Sequence, residues 1–171
     1  MQTLTPVALS LGSNLGDRRG HLEWALEQLG RRLERLRVSS VIETDAEDVP
    51  DPQPPYLNAA AVGETALEPG PLLDLLLDLE RARGRERRAF RAARTLDLDL
   101  IFYGTRVIDT PALVVPHPHF RTRGFVLAPL AEIAPDWIDP LTGKTVGKTL
   151  EELRTQNLEL RTAGSVRSPA F

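Results

Sequence analysis

The chain has 171 residues, 42% hydrophobic and 26% charged, enough for one soluble domain with its own core. A formal net charge of −3 argues against bulk nucleic-acid binding and against a polybasic membrane anchor. The absence of cysteine excludes disulfides, thiolate metal sites and a thiol nucleophile. No apolar run is long enough to span a membrane, and the first residues lack the basic and apolar regions of a signal peptide. A cytoplasmic location and a monomer are the expectation. Lys144 and Lys148 are the only lysines, so arginine carries nearly all the positive charge.

Pro6 to Leu11 reads as a short apolar strand. It runs into GSNLGDR, Gly12 to Arg18, a strand-to-helix loop with Asp17 as a fair N-cap. Leu22, Ala25, Leu26, Leu29, Leu33 and Leu36 recur at helical spacing, with Gly30 interrupting the stripe. Arg37 to Thr44 is expected as a strand. Asp45 to Pro55, rich in acids and proline, is a long loop of the kind that is usually functional or disordered. Tyr56 to Val62 reads as another strand. Pro69-Gly70-Pro71 opens a helix whose stripe includes Leu72, Leu73, Leu76, Leu77 and Glu80. A central strand follows Arg94, with a short strand near Arg106 to Ile108. A short helix is expected over Val126 to Ala134, and a last one from Leu150, capped by Thr149. The order β-α-β-β-α-β is that of a ferredoxin-like α+β domain, with helices on one face of an antiparallel sheet and the other face left to loops and ligands. One domain over residues 1–160 and a flexible tail over 161–171 are expected.

The chemistry concentrates in RTLDLDLIFYG, Arg94 to Gly104. At a period of two, Leu96, Leu98, Leu100 and Phe102 share one face of the strand and Asp97 and Asp99 share the other. Two adjacent carboxylates repel, and a hard divalent cation relieves the repulsion. Mg²⁺ characteristically takes one or two carboxylates together with substrate phosphates. A solvated acidic face is the competing reading. Just upstream are seven arginines: Arg81, Arg83, Arg85, Arg87, Arg88, Arg91 and Arg94. Guanidinium forks match phosphate oxygens, and a metal beside arginines is the usual equipment for moving a phosphoryl group.

Elsewhere the signals are weaker. GSNLGDR lacks the Lys and Ser/Thr of a Walker loop. Tyr56 and Asn58, two apart on a strand, share a face and suit a flat heterocycle: a ring to stack and an amide to pair. His117 sits between two prolines and precedes Arg123-Gly124-Phe125.

Taken together, LGSNLGDR, YLNAA, Glu80 with the following GlyArg, RTLDLDL, VPHP and RGFVLAPLAEIAPD resemble the 6-hydroxymethyl-7,8-dihydropterin pyrophosphokinases of folate biosynthesis. They occur in that family's order and cover roughly residues 8 to 137. The resemblance implies a ferredoxin-like fold and transfer of the diphosphate of ATP to the pterin hydroxymethyl group, releasing AMP. It implies that Asp97 and Asp99 bind two Mg²⁺ ions, with Asp97 also near the pterin. Arg85 and Arg94 would clamp phosphate, with Arg85 on a mobile loop. His117 and Arg123 would add contacts to ATP, and Glu80 and Leu100 would wall its site. Thr44, Tyr56, Asn58 and Phe125 would bind the pterin, with the two rings sandwiching it. Gly12 and Asn14 would lie in a first mobile loop.

This chain departs from the family at three places. Asp45-Ala46-Glu47-Asp48 stands where prolines and an apolar residue are usual. Arg91-Ala92-Ala93 replaces an aromatic-Gly-Pro triplet, with Phe90 one position early. Ala112 stands where some members have arginine. Two other functions share some of these features. A DxD nucleotidyl- or glycosyltransferase has the same metal logic but no use for Tyr56, Asn58 and Phe125. A ferredoxin-like RNA-binding module needs a basic sheet face with exposed aromatics, where this chain carries Asp97 and Asp99.

Overall fold

The computed structural model describes residues 2–46, 49–84 and 93–165, the side chains of 162–165 excepted. Arg85, Arg87, Arg88, Phe90 and Arg91 therefore lie outside the described residues, as does the tail beyond 165. The order is β1 (Thr5–Ser13), α1 (Arg18–Gly30), β2 (Glu34–Val38), β3 (Ile42–Thr44), β4 (Tyr56–Thr65), α2 (Pro69–Ala82), β5 (Asp97–Tyr103), β6 (Ile108–Asp109), β7 (Val114–Val115), α3 (Gly124–Ile133) and α4 (Val146–Ser165). A single 3-10 turn, Phe120–Thr122, precedes α3. The main sheet has the order β2-β4-β1-β5, with β3 also paired to β4, and every pairing is antiparallel. This is an α+β fold with the expected core order.

Several expected elements have different limits: β1 runs on through Gly12 and Ser13, expected in the loop, and α1 and the β2/β3 segment differ more. Helix α1 stops at Gly30, and Leu33 and Leu36 lie beyond it: Leu33 is buried under the sheet and Leu36 belongs to β2. Their helical spacing came from core-facing residues on either side of a turn. The expected strand over Arg37 to Thr44 is two strands, β2 and β3, both on β4 and separated by Ser39 to Val41. Ser39 leaves the ladder but still serves it, donating its N–H to the Ala60 carbonyl and accepting the Ala60 N–H on its hydroxyl. Asp17 caps α1 as expected, accepting the Gly20 N–H at 3.1 Å.

The sheet has two apolar faces. On one, Val7, Leu9 and Leu11 of β1 meet Leu22, Ala25 and Leu29 of α1 and Leu72, Leu76 and Leu79 of α2. On the other, Ala8, Ala60, Val62 and Ile101 are covered by Val126, Leu127 and Leu130 of α3 and Val146 and Leu150 of α4. Each such side chain contributes on the order of 1.5–3 kcal/mol when fully buried. The second face is thus only partly left to loops: α3 and α4 cover one end and leave the other open. Helix α4 begins at Val146, so Thr149 lies inside it, and it continues to Ser165.

Phe102 breaks the expected alternation. Ala8 pairs with Phe102 but Leu9 pairs with Leu100, so Ile101 is an extra residue and β5 bulges there. Beyond the bulge the faces exchange. Phe102 joins the α3/α4 side, edge-on to Phe120 at 5.1 Å and stacked on Trp137 at 5.4 Å. Tyr103 turns to the α1/α2 side, where its hydroxyl donates to the Leu67 carbonyl at 2.9 Å.

Candidate active site

At the uncovered end of the second face the same alternation lines up Ser10 and Gly12 of β1, Asn58 of β4, and Asp97 and Asp99 of β5. The register places Ser10 opposite Asp99, and Gly12 between Asp97 and Asn58. These residues floor a cavity of about 260 Å³. Thr44, Asp45, Val49 and Tyr56 wall one side, and His119, Thr122, Arg123 and Phe125 the other, with Arg94 near the acids. Gly12 lacks a side chain where space is short: a Cβ there would lie 3.2 Å from Asn58 Oδ1 and 3.4 Å from the Tyr56 ring.

Asn58 is buried, and its Nδ2 donates to the Thr44 hydroxyl at 2.7 Å. That bond fixes the amide plane and turns its carbonyl oxygen toward Gly12. Tyr56 pairs with Thr44 across β3 and β4. The Arg123 guanidinium sits 5.8 Å from the centre of the Phe125 ring, so one wall presents an aromatic face and a cation together.

At the acidic end, Arg94 donates to Asp97 Oδ1 at 3.0 Å. Asp99 is recessed, and its carboxyl is pushed up to about 7 by burial first, then by the charges of Asp97 and Glu80, against the pull of Arg123 and Arg94. The bulge at Ile101 brings the next group. The Ile101 carbonyl accepts the His117 N–H at 3.0 Å, which seats the histidine beside β5. His117 Nδ1 accepts the His119 N–H at 3.1 Å, so the neutral ring carries its proton on Nε2, 4.0 Å from Asp99 Oδ2. Burial, then Arg123 and His119, push the imidazole down to about 4, so it is neutral at pH 7.

The donor set fits a hard divalent cation. Two carboxylates share one face of a strand, and their proximity raises the cost of ionising both. Among the described residues no cluster of three or more His, Asp or Glu side chains is arranged as an all-protein cage. Magnesium is content with such a partial site, taking its remaining ligands from phosphate and water.

Of the expected site residues, Thr44, Tyr56, Asn58, Arg94, Asp97, Asp99, Arg123 and Phe125 line this one cavity, and His117 stands against Asp99. Glu80 and Leu100 are not among its lining. Glu80 is buried on α2 and accepts the Leu98 N–H at 2.8 Å, tying that helix to β5. The Leu100 side chain has the parity of Leu98 and enters the α1/α2 core. Arg85 lies outside the described residues. Ser10, Asp45, Val49, His119 and Thr122 line the cavity without having been expected. Ser10 was detectable in principle, since the small residues Ala8, Ser10 and Gly12 alternate along β1. The others belong to loops and a short turn, which carry no periodicity long enough to read.

Paired acids and arginines in an aromatic-walled cavity at one end of the sheet are suited to phosphoryl transfer, the class of enzyme to which this fold and site point. Comparison with known proteins narrows the class. Residues 8–135 match the family model of 7,8-dihydro-6-hydroxymethylpterin-pyrophosphokinase (HPPK), and the chain belongs to that family. It is 42% identical over 147 residues to the 2-amino-4-hydroxy-6-hydroxymethyldihydropteridine pyrophosphokinase of Synechocystis sp., covering 85% of this chain and 74% of that protein. The protein of the same name from Pseudomonas aeruginosa is 41% identical over 132 residues, covering 76% of this chain and 81% of its own. Among solved structures, the wild-type HPPK-DHPS of Plasmodium falciparum with pteroate superposes with a TM-score of 0.75 over 95% of this chain. At 14% identity and 44% of that longer chain, the likeness is one of fold.

Proposed function

We propose that this protein transfers the diphosphate of ATP to the hydroxymethyl group of 6-hydroxymethyl-7,8-dihydropterin, giving AMP and the pterin diphosphate, the family's step in folate biosynthesis. The observation that carries the reading is the meeting in one cavity of two residue sets: Asp97, Asp99, Arg94 and Arg123, suited to polyphosphate, and Tyr56, Asn58, Thr44 and Phe125, suited to a flat heterocycle.

On this reading the pterin lies between Tyr56 and Phe125, with its polar edge on Asn58. The Asn58–Thr44 bond holds the amide ready before the ring arrives, which lowers the ordering cost of binding. Arg94 and Arg123 hold the phosphates, and Arg85 is a further clamp by its place in the family motif. Asp97 and Asp99 would hold Mg²⁺, two ions on the family pattern, which would neutralise phosphate charge when bound. The hydroxymethyl oxygen attacks the β-phosphorus in line, and AMP departs. Asp97, closest to the pterin side, is the candidate to take the hydroxyl proton. Neutral His117 presents Nε2–H beside Asp99, adding no charge of its own. Positioning and electrostatics supply most of the rate, as in phosphoryl transfer generally. The protein is taken to act as a single domain over residues 1–160, as a monomer in the cytoplasm, where ATP is plentiful. Among the described residues no helix is long and apolar enough to cross a membrane.

The test is to incubate the protein with ATP, Mg²⁺ and the pterin and resolve the nucleotide products. AMP formed one-for-one with pterin diphosphate is expected. ADP or inorganic pyrophosphate as the pterin-dependent product would overturn the reading.

A further inference from the structure

The turn between β7 and α3 distributes its side chains with a period of three. A 3-10 helix has three residues per turn, so residues i and i+3 lie one above the other. His119 and Thr122 are such a pair, and both line the cavity. They are also bonded: the Thr122 N–H and hydroxyl both reach the His119 carbonyl, at 3.4 and 3.2 Å. Phe120 points the opposite way, fully buried against Phe102. Arg121 takes the third direction. Its Nε and a terminal nitrogen donate to the two oxygens of Asp139 at 2.6 and 3.0 Å, while the guanidinium lies 4.7 Å from the centre of the Phe120 ring.

Asp139 is an anchor. Its carboxylate is 1% exposed and also accepts the Leu141 N–H at 2.9 Å and the Thr142 hydroxyl at 3.0 Å. Phe120 and Arg121 thus fasten the turn from two sides, and the third side faces the cavity. The His119 N–H is committed to His117, which fixes the backbone where the imidazole emerges. A side chain held on so fastened a turn loses little freedom when it meets a ligand.

From this geometry we infer that His119 and Thr122 are nucleotide-contacting residues, binding phosphate oxygens of the ATP chain beside Arg123. The inference rests on the pyrophosphokinase reading and extends it. The chemistry favours an anion over the pterin: the His119 imidazole and the Thr122 hydroxyl, once it turns from the His119 carbonyl, are donors lining the same cavity as Arg123. The flat-ring partners Tyr56 and Asn58 belong to the other strands. The acids Asp97 and Asp99 share the cavity, so the phosphates would lie between an acidic floor and a wall of donors. Arg121 and Asp139 act through the turn and are positioning residues.

The test is steady-state kinetics with AMP as readout, varying ATP at saturating pterin and then the reverse. His119→Ala is expected to raise KM for ATP roughly tenfold, the effect of losing one hydrogen bond to a charged group. Thr122→Val is expected to raise it severalfold, on the order of a weaker neutral donor. KM for the pterin should hold in both, and His119→Gln, which keeps a donor, should recover part of the loss. Unchanged KM for ATP in both alanine and valine variants overturns the inference. So does an equal rise for both substrates, which a loosened wall would give. Titration calorimetry with a non-hydrolysable ATP analogue and Mg²⁺ reads the same contact without turnover. A wild-type protein that binds the analogue but yields no AMP refutes the pyrophosphokinase reading, while the His119→Ala shift in analogue affinity still decides this one.

Discussion

Asn14 and Arg94 exchange two hydrogen bonds: the Asn14 N–H donates to the Arg94 carbonyl at 3.0 Å, and the Arg94 N–H donates to Asn14 Oδ1 at 2.8 Å. The remaining end of the amide donates to Gln53 Oε1 at 3.0 Å and to the Pro54 carbonyl at 3.2 Å. One buried asparagine thus joins the loop after β1, the loop before β4 and the approach to β5. These segments lead out of β1 beside Gly12, lead into β4 at Tyr56, and carry Arg94. Asn14→Ala leaves the Arg94 N–H without this acceptor, a loss of about 1–3 kcal/mol. A lower Tm and a lower kcat/KM for both substrates are expected, since both halves of the cavity hang on the same side chain. An Asn14→Ala variant with wild-type values for both substrates would show that the loops hold their places by other means.

Asp97→Asn and Asp99→Asn are expected to lower AMP formation by at least about 100-fold, the scale of removing a preorganised electrostatic contact from a transition state. Binding gives an independent check. Mg²⁺ with an ATP analogue should raise the Tm of the wild type, and each variant should lose most of that rise. If Asp97→Asn keeps both the rise and the turnover, the acids do not hold the metal.

Gly12→Ala tests how tightly the floor is built. The added methyl would press on Asn58 Oδ1 at 3.2 Å, so the amide must give by a few tenths of an ångström, while the Tyr56 ring at 3.4 Å is only touched. The expected result is a rise in KM for the pterin of roughly tenfold, as for a misplaced hydrogen bond, with a smaller effect on KM for ATP. An unaltered pterin KM would place the ring elsewhere in the cavity.

The Arg121–Asp139 pair predicts a pH dependence of stability. Burial alone would raise the Asp139 carboxyl. The hydrogen bond from Arg121, with those from Leu141 and Thr142 and the arginine's charge, outweighs it and holds the group below the ordinary carboxylate range. A group whose pKa is lowered by folding stabilises the fold above its unfolded pKa, and the contribution disappears as pH falls through the folded value. Asp139→Asn should therefore be less stable than wild type near pH 7, and the gap in Tm should begin to narrow below about pH 4, the unfolded value, and vanish only below the lower folded value. A gap that stays constant down to acid pH would mean that the charge of Asp139 contributes nothing.

Glu80 is expected to act through the fold. Its carboxylate satisfies the buried N–H of Leu98, between the two acids. Glu80→Leu removes that acceptor and should cost about 1–3 kcal/mol of stability. Glu80→Gln keeps an acceptor oxygen and should recover much of the Tm. A Glu80→Leu protein with normal Tm but a raised KM for ATP would return the residue to the nucleotide site.

Much of this protein is settled by short-range pattern. The period of two in RTLDLDL is enough to place Asp97 and Asp99 together on one face, and glycine and proline punctuation is enough to order the core strands and helices. These features follow from backbone geometry within a few residues. The tertiary structure decided what such pattern cannot carry. The bulge at Ile101 reverses Phe102 and Tyr103 and seats His117 beside Asp99, because the extra residue exists only relative to the register with β1. The ends of α1 and α4, and the split between β2 and β3, depend on which neighbours accept the freed backbone groups. The cavity wall of His119 and Thr122 depends on Asp139, eighteen residues beyond Arg121, closing an ion pair that leaves no local trace in sequence.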